Sequence, residues 1–450
     1  MSKDIRIKKG LDIRLVGEPE KALTNAPRSR TFVIKPSDFH LITPKMVLKE
    51  GAKFKAGDIL FYHRENESIK FAAPVSGTLT EIKRGAKRVI THIVITADSQ
   101  DEYREFNQLD VSKAEPEAIK TRLLESGCWV FVKQRPYDVI ANPEKTPKAI
   151  FISAHASAPL VADYDFTLSG KEKELQTAIH AFSKLTKGKI HVGIGSNGTS
   201  PFENLVGITL HKVSGPHPSG NVGTLINKID PINKGETVWT LTPQDLVVIG
   251  ELLLKGKFNA ERIVALSGSS LKSPKYYRTK IGAEVSTMVY DSGLNGENVR
   301  IISGGVLSEK KVPADGHLGY YDDTITVIPE GDDYEFFGWN KPVFNKISLT
   351  RALTFSWLTP NKKYVLDTNT NGEHRAFVQT GMYEQVFPLD IYPMQIMKAC
   401  MVEDLDAMEE LGMFEVAPED FALTEFVCVS KQPHQEIIRK GLDLMYKEIG

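Results

Sequence analysis

Glu172-Lys-Glu-Leu-Gln-Thr-Ala-Ile-His-Ala-Phe-Ser-Lys-Leu-Thr-Lys-Gly-Lys-Ile-His-Val-Gly-Ile-Gly-Ser-Asn-Gly198 contains a change of period. Leu175, Ala178, Ile179, Phe182 and Leu185 recur every three or four residues, which predicts a helix over Glu172–Lys187 with one apolar face. Gly188 is a natural stop, and Lys189–Ile194 then reads as a short apolar strand. The same rhythm continues on both sides. Upstream, Pro116 suits a first helical turn, Ile119 and Leu123 share a face, Gly127 ends that helix, and Ala149–Ser153 follows as a strand. Downstream, Val206–Val213 is a strand. Thr242 is an N-cap before Pro243, and Leu246, Ile249 and Leu253 form a stripe closed by Gly256. Alternating strands and helices predict a Rossmann-like α/β domain over residues 102–256.

The flanks have other patterns. Over 31–101, Phe32-Val33-Ile34, Ile59-Leu60-Phe61, Gly77-Thr78-Leu79 and His92-Ile93-Val94-Ile95 are strand-like between glycine turns. With Ala73-Pro74-Val75-Ser76-Gly77-Thr78 after a hairpin, this part resembles the hammerhead fold of biotinyl and lipoyl carrier domains. The hairpin tip falls near Asn66, whose side chain cannot form the carrier amide, and Lys70 comes too late in the strand. Over 257–330, Ile263–Leu266, Val285-Ser286, Val299–Ile302 and Thr324–Val327 read as strands of a small β-grasp-like module. Residues 331–380 connect it to a helical domain over 381–450. There Ile396, Met397, Cys400, Met401, Leu405, Met408 and Leu411 keep helical spacing, as do Ile438, Leu442, Met445 and Ile449. Residues 1–30 carry a basic alternating stretch, Ile5–Ile13, which reads either as a charged edge strand or as a docking strand. A length of 450 residues accommodates about three domains, so the fold class is α/β multidomain.

Few motifs carry chemistry. Gly193-Ile194-Gly195-Ser196-Asn197-Gly198 matches the dinucleotide G-x-G-x-x-G after a strand. The fingerprint also wants an acidic residue about 20 positions on for the ribose, and none stands between Asn204 and Ile229. Pro201 also sits early in the would-be helix, so a structural turn is the stronger reading and a nucleotide site the weaker. Cys128, Cys400 and Cys428 lie far apart, and no C-x-x-C or H-E-x-x-H occurs, so no zinc or iron–sulfur spacing exists. His217 lies in Gly215-Pro216-His217-Pro218-Ser219-Gly220, a loop stiffened by prolines, which suits either a binding loop or a hydrogen-bonded turn. Five of the ten methionines lie in 394–413, the pattern of core filler or of an adaptable partner surface.

With 56 Lys+Arg against 57 Asp+Glu the chain has no global field to draw nucleic acid or an anionic membrane, although a local basic patch stays compatible with that balance. The start Met1-Ser2-Lys3-Asp4-Ile5-Arg6 lacks the apolar core of a signal peptide, and no 18-residue stretch is free of charge. Contact with a membrane is therefore expected through a partner, with Lys3–Lys9 and the methionines of 394–413 as the docking surface.

Ile7-Lys8-Lys9-Gly10-Leu11-Asp12 with Gly17-x-Pro19, Phe71-Ala72-Ala73-Pro74-Val75-Ser76-Gly77, and His217-Pro218-Ser219-Gly220 with Gly223-Thr224 resemble the A subunits of Na+-translocating NADH:quinone reductases. The resemblance covers nearly the whole chain and implies that the β-grasp module is SLBB-like. It implies a peripheral subunit on the cytoplasmic face of the bacterial inner membrane, next to the membrane-embedded B subunit, together with the other subunits, and no partnership with nucleic acid. The complex passes electrons from NADH to ubiquinone or menaquinone and exports Na+. The family is similar to the flavin subunit of respiratory complex I and the C subunit of the Rnf complex, which hold NADH and FMN in a glycine-rich loop and an acidic segment. The equivalent stretches here are Ser126–Pro136, where Trp129 and Phe131 replace glycines, and Ser153–Pro159, without glutamates. The resemblance thus implies a scaffold with no cofactor of its own and no catalytic residue. NADH, FAD, FMN, iron–sulfur, quinone and Na+ fall to other subunits, and His217, Ser219, Gly220 and Trp129 are the quinone- or partner-facing candidates. The residues by themselves leave two alternatives, a nucleotide-dependent oxidoreductase using Gly193–Gly198 and a biotin or lipoyl carrier.

Overall fold

The computed structural model describes residues 2–307, 310–332, 335–338, 341–353, 355–377 and 381–450. Its central sheet runs in the order Asp4–Arg6, Thr209–Ser214, Ile190–Gly195, Ile150–Ala154, Val238–Leu241, Lys133–Arg135, Val139–Ile140. The first five strands are parallel and the last two antiparallel. Period two divides their side chains between two cores. Ile150, Ile152, Ile190 and Val192 join helices Glu172–Leu185 and Pro243–Lys255 on one face. Phe151, Val213 and Val238 join helix Val222–Ile229 and the C-terminal helices on the other. The two helices of the first face touch backbone to backbone, because a Cβ on Gly250 would collide with the Glu174 carbonyl. Thr242 Oγ1 accepts the Asp245 N–H, and Gly256 ends that helix in the left-handed region.

Residues 31–97 form a barrel-sandwich of a four-stranded and a three-stranded sheet around Phe39, Phe61, Phe71, Leu79 and Ile93. The hairpin between Ile59–His63 and Asn66–Ala72 turns at Arg64-Glu65, and Lys70 pairs with Tyr62 within the strands. A six-stranded sheet follows, ordered Lys310–Val312, Val299–Ser303, Thr324–Pro329, Glu261–Ser267, Lys275–Lys280, Glu20–Asn25. Val285-Ser286 is not a strand. It opens helix Val285–Ser292, which buries Val285, Met288, Val289 and Ser292 at helical spacing, a period that a two-residue β-branched reading overlooks.

At the C-terminus the continuous stripe 396–411 is two helices, Pro393–Met401 and Leu405–Glu410, separated where Asp404 caps the second through the Ala407 N–H. Met394, Met397, Met408 and Met413 are core, and Met401 alone of the five is exposed. That removes most of the methionine docking surface. The predicted Ile5–Ile13 strand is only Asp4–Arg6, and a second strand, Glu20–Asn25, runs parallel to Lys275–Lys280. Among the described residues no helix is long and apolar enough to cross a membrane.

Candidate functional site

The strands ending at Ala154, Gly195 and Ser214 deliver three loops to the carboxyl edge of the sheet. In a sheet of this order that edge is where loops converge, because Val238–Leu241 returns on the far side of Ile150–Ala154. His217, Ser219 and Gly220 meet there. A Cβ on Gly10 would collide with the His217 carbonyl, and one on Gly215 with the Ile7 carbonyl, so the two motifs fit only as bare backbone. Leu11 N–H donates to His217 O at 2.9 Å, and His217 N–H donates to Asp12 Oδ1 at 3.0 Å.

Inside the loop every hydroxyl is committed. Gly220 N–H donates to Ser157 Oγ at 2.8 Å, and the same hydroxyl is hydrogen-bonded to His217 Nδ1 at 3.0 Å. Ser219 Oγ donates to Gly215 O at 3.0 Å, so the 3.2 Å contact with His155 Nε2 has the histidine as donor. Ser153 Oγ donates to Gly220 O at 2.6 Å, and Thr224 Oγ1 to Pro218 O at 2.9 Å. Burial pulls His217 down to about 4, with His155 adding to the effect. Burial also lowers His155, against the opposing pull of Asp12. Both rings are therefore neutral near pH 7. Among the described residues no carboxylate is hydrogen-bonded to the His217 ring behind Ser157, the third member that nucleophilic catalysis uses. The arrangement is a hydrogen-bonded clamp on the N-terminal segment. Among the described residues no group of His, Cys, Asp or Glu could hold a metal ion.

Trp129 is not part of this cluster. It lies fully buried in the core on the opposite face of the sheet. Its indole N–H donates to Ala141 O at 2.7 Å, and its ring stands perpendicular to Trp239 at 5.3 Å. Cys128 beside it is sealed, with its thiol pushed up to about 12 by burial. The stretch after Gly127 is a 3-10 turn whose Trp129, Val130 and Phe131 fill the interior.

The Gly193–Gly198 motif is the end of strand Ile190–Gly195 and the turn after it. That strand is the second of the βαβ succession, not the first, and Ser200 caps a short 3-10 helix, Pro201–Asn204. A Cβ on Gly198 would collide with Asp165 Oδ2, so a carboxylate stands where a phosphate would approach. Sequence reasoning missed His155, Ser157, Ser153 and Asp12 as members of the clamp. The available signal was the position of Ser153–Pro159 directly after a predicted strand of the α/β domain.

Three family descriptions match the chain: the NqrA N-terminal barrel-sandwich hybrid domain over residues 5–98, the NqrA second alpha/beta domain over 114–258, and the NQRA C-terminal (SLBB) domain over 263–313. The A subunit of the Na(+)-translocating NADH-quinone reductase of Neisseria gonorrhoeae is 36% identical over 447 residues, 99% of this chain and 100% of that protein. The corresponding protein of Neisseria meningitidis serogroup B is also 36% identical over the same spans. That of Histophilus somni is 35% identical, again over 99% of this chain and 100% of the relative.

Proposed function

The chain belongs to the family of A subunits of Na(+)-translocating NADH-quinone reductases, and from that premise we propose how it serves the complex. It is one component of an oxidoreductase that couples electron transfer to Na+ movement. In our reading it sits at the cytoplasmic face of the inner membrane and braces the membrane-embedded B subunit, together with its neighbours. Its α/β domain is a Rossmann-like core without a nucleotide, and residues 381–450 are a helical cap on that core. NADH, FAD, FMN, iron–sulfur, ubiquinone or menaquinone, and Na+ are handled by other subunits.

The observation that carries this reading is the filled loop after Gly127. In the similar flavin subunits that loop holds NADH and FMN against bare glycine backbone. Here Trp129 and Phe131 occupy the interior, and Tyr321 Oη donates to Val130 O at 2.7 Å, tying the turn to the six-stranded domain. A flavin phosphate has no backbone to approach. The residues do not fit the group, and no step of the reaction is derived through it. The His217 clamp, with Ser219 and Gly220, supports a role in holding the N-terminal motif to the sheet, and any quinone or partner contact there is made by the outer surface of that loop. The carrier alternative loses support from Lys70, which lies mid-strand, and the nucleotide alternative from Asp165 against Gly198.

Two measurements test the proposal. Co-expressed with the other subunits, the chain is expected to co-purify with them, and omitting it to abolish Na+-dependent NADH:quinone reductase activity of the membrane complex. Purified alone without oxygen, it is expected to show no flavin absorbance and no iron. Stoichiometric flavin or iron on the isolated chain refutes the scaffold reading.

A further inference from the structure

The near-zero net charge conceals an uneven distribution. Residues 341–363 contain Lys341, Lys346, Arg351, Lys362 and Lys363 and no Asp or Glu. The same stretch presents its largest apolar side chains to water: Phe344 is 60% exposed, Phe355 63%, Trp357 63% and Leu358 58%. Phe336, just upstream, is 81% exposed. Scattered exposed apolar residues are ordinary on a protein surface, but several rings on one segment are not.

These residues are tied into one surface. Lys362 Nζ donates to the Phe344 carbonyl, Ser356 Oγ donates to Arg351 O at 2.8 Å, and Lys346 pairs with Glu335 at 2.8 Å beside Phe336. Tyr364 N–H donates to Arg14 O at 2.8 Å, and Val16 N–H donates to Tyr364 O at 3.0 Å, which lays the segment along the N-terminal motif. Between them lies a cavity of about 220 Å3 whose lining includes Arg14, Arg351, Lys362, Ser348, Ser356 and Thr359. The Ser348 hydroxyl oxygen is buried there without a hydrogen-bond partner. The one carboxylate in the lining, Asp12, accepts the His217 N–H. Among the described residues no carboxylate pairs with Lys341, Arg351 or Lys362.

We infer that the exposed rings of Phe344, Phe355 and Trp357, with Arg14, Arg351 and Lys362, rest on an anionic phospholipid surface, and that the cavity takes a headgroup phosphate. Three cations with the unpartnered Ser348 hydroxyl beside them suit a phosphate oxyanion. Exposed rings on the same segment as Arg351 and Lys362 suit the boundary between headgroups and acyl chains, where amphipathic aromatics settle and Lys and Arg meet anionic lipid. The contact is local and weak, so it orients the chain on the membrane rather than anchoring it. The inference is independent of the family assignment.

Flotation of the full chain with phosphatidylglycerol–phosphatidylethanolamine vesicles tests it, with phosphatidylcholine vesicles as the neutral control. The chain is expected to float with the anionic vesicles at low salt and not with the neutral ones. Each basic residue near an anionic surface contributes about 5-fold, so Arg351→Gln with Lys362→Gln is expected to weaken binding roughly 30-fold. Phe355→Ser with Trp357→Ser is expected to weaken it as well, and to raise its sensitivity to salt. Lys341→Gln with Lys363→Gln lies outside the cavity and gives a second charge variant if the first fails to fold. Equal flotation with both vesicle types, or binding unchanged in all three variants, overturns the inference. Variants that float normally but no longer co-purify with the membrane subunits in detergent also overturn it, and assign the face to a protein partner.

Discussion

His191, His217, His317 and His434 are each held down to about 4 by burial, against an ordinary histidine value near 6.5. Two of them lie along the path of the N-terminal segment. Lys3 N–H donates to His211 Nδ1 at 3.1 Å, which puts the His211 proton on Nε2, facing His191 Nδ1 at 3.0 Å. His217 Nδ1 is hydrogen-bonded to the Ser157 hydroxyl at 3.0 Å. The folded chain therefore resists protonation that the unfolded chain accepts. Above about pH 6.5 both states are neutral at these rings and their contribution to stability is complete. As pH falls from about 6.5 to about 4, the unfolded state binds protons first and stability declines, levelling off below the folded values. The urea midpoint is expected to drop steadily from roughly pH 7 to pH 5, with proton uptake on unfolding. A flat midpoint across that range contradicts the neutral-histidine assignment.

The elements show which signals a sequence exposes. The helices Glu172–Leu185 and Pro243–Lys255 and the strands Ile190–Gly195 and Thr209–Ser214 follow from period, caps and glycine stops, all local quantities, while strand Val238–Leu241 escapes that reading. The same local reading misses helix Val222–Ile229, whose start directly follows the Gly220-Asn221 turn, and it joins two C-terminal helices across Asp404. His217, Ser219 and Gly220 stand out because flanking prolines stiffen their loop. His155, Ser157 and Asp12 did not, because their proximity arises from parallel crossovers over 60 to 205 residues of chain and leaves no periodic trace. Trp129 was misleading for a related reason: its place in a loop suggested access, while the packing of the opposite face buries it. A similar long-range junction secures the C-terminal helices. Arg135, on the next-to-last strand of the central sheet, pairs with Asp420 at 2.7 Å, and both are sealed from water. Gly223 lies against the pair, where a Cβ would strike both partners. Arg135→Ala strands a buried carboxylate that also accepts the Ala417 N–H, and is expected to cost about 3–5 kcal/mol. Chemical denaturation checks the magnitude. A loss under about 1 kcal/mol would mean that water reaches Asp420.

At the scale of the whole molecule, the first 30 residues are a strap that touches each folded unit in turn. Asp4–Arg6 adds an edge strand to the central sheet, and Ile7 N–H donates to Ser214 O at 2.8 Å. Gly10 N–H donates to Gln385 O at 3.0 Å, in the C-terminal helices, and Leu15 bridges to Tyr364 in the connecting segment. Gly268 N–H donates to Gly17 O at 2.8 Å, and Glu20–Asn25 extends the six-stranded sheet. Ala97 N–H donates to Arg30 O at 3.0 Å in the barrel-sandwich. The segment that read as an edge or docking strand therefore completes the fold. Among the described residues its outer edge is still open, because Asp4–Arg6 has a strand neighbour on one side only. These contacts are spread thinly, a few hydrogen bonds to each unit, so removing part of the strap is expected to loosen the units without unfolding them. Deletion of residues 2–9 removes the strand and the Lys3 and Ile7 bonds but keeps Gly10 and Asp12 on the His217 loop. The truncated chain is expected to stay folded, with a lowered thermal midpoint and faster amide exchange confined to 209–220 and 382–388. Global loss of protection would make the strap part of the folding core. Unchanged exchange in 209–220 would mean that the edge strand adds no protection to its neighbour, and that the basic residues at its start are retained for a surface the strap presents rather than for the sheet it completes.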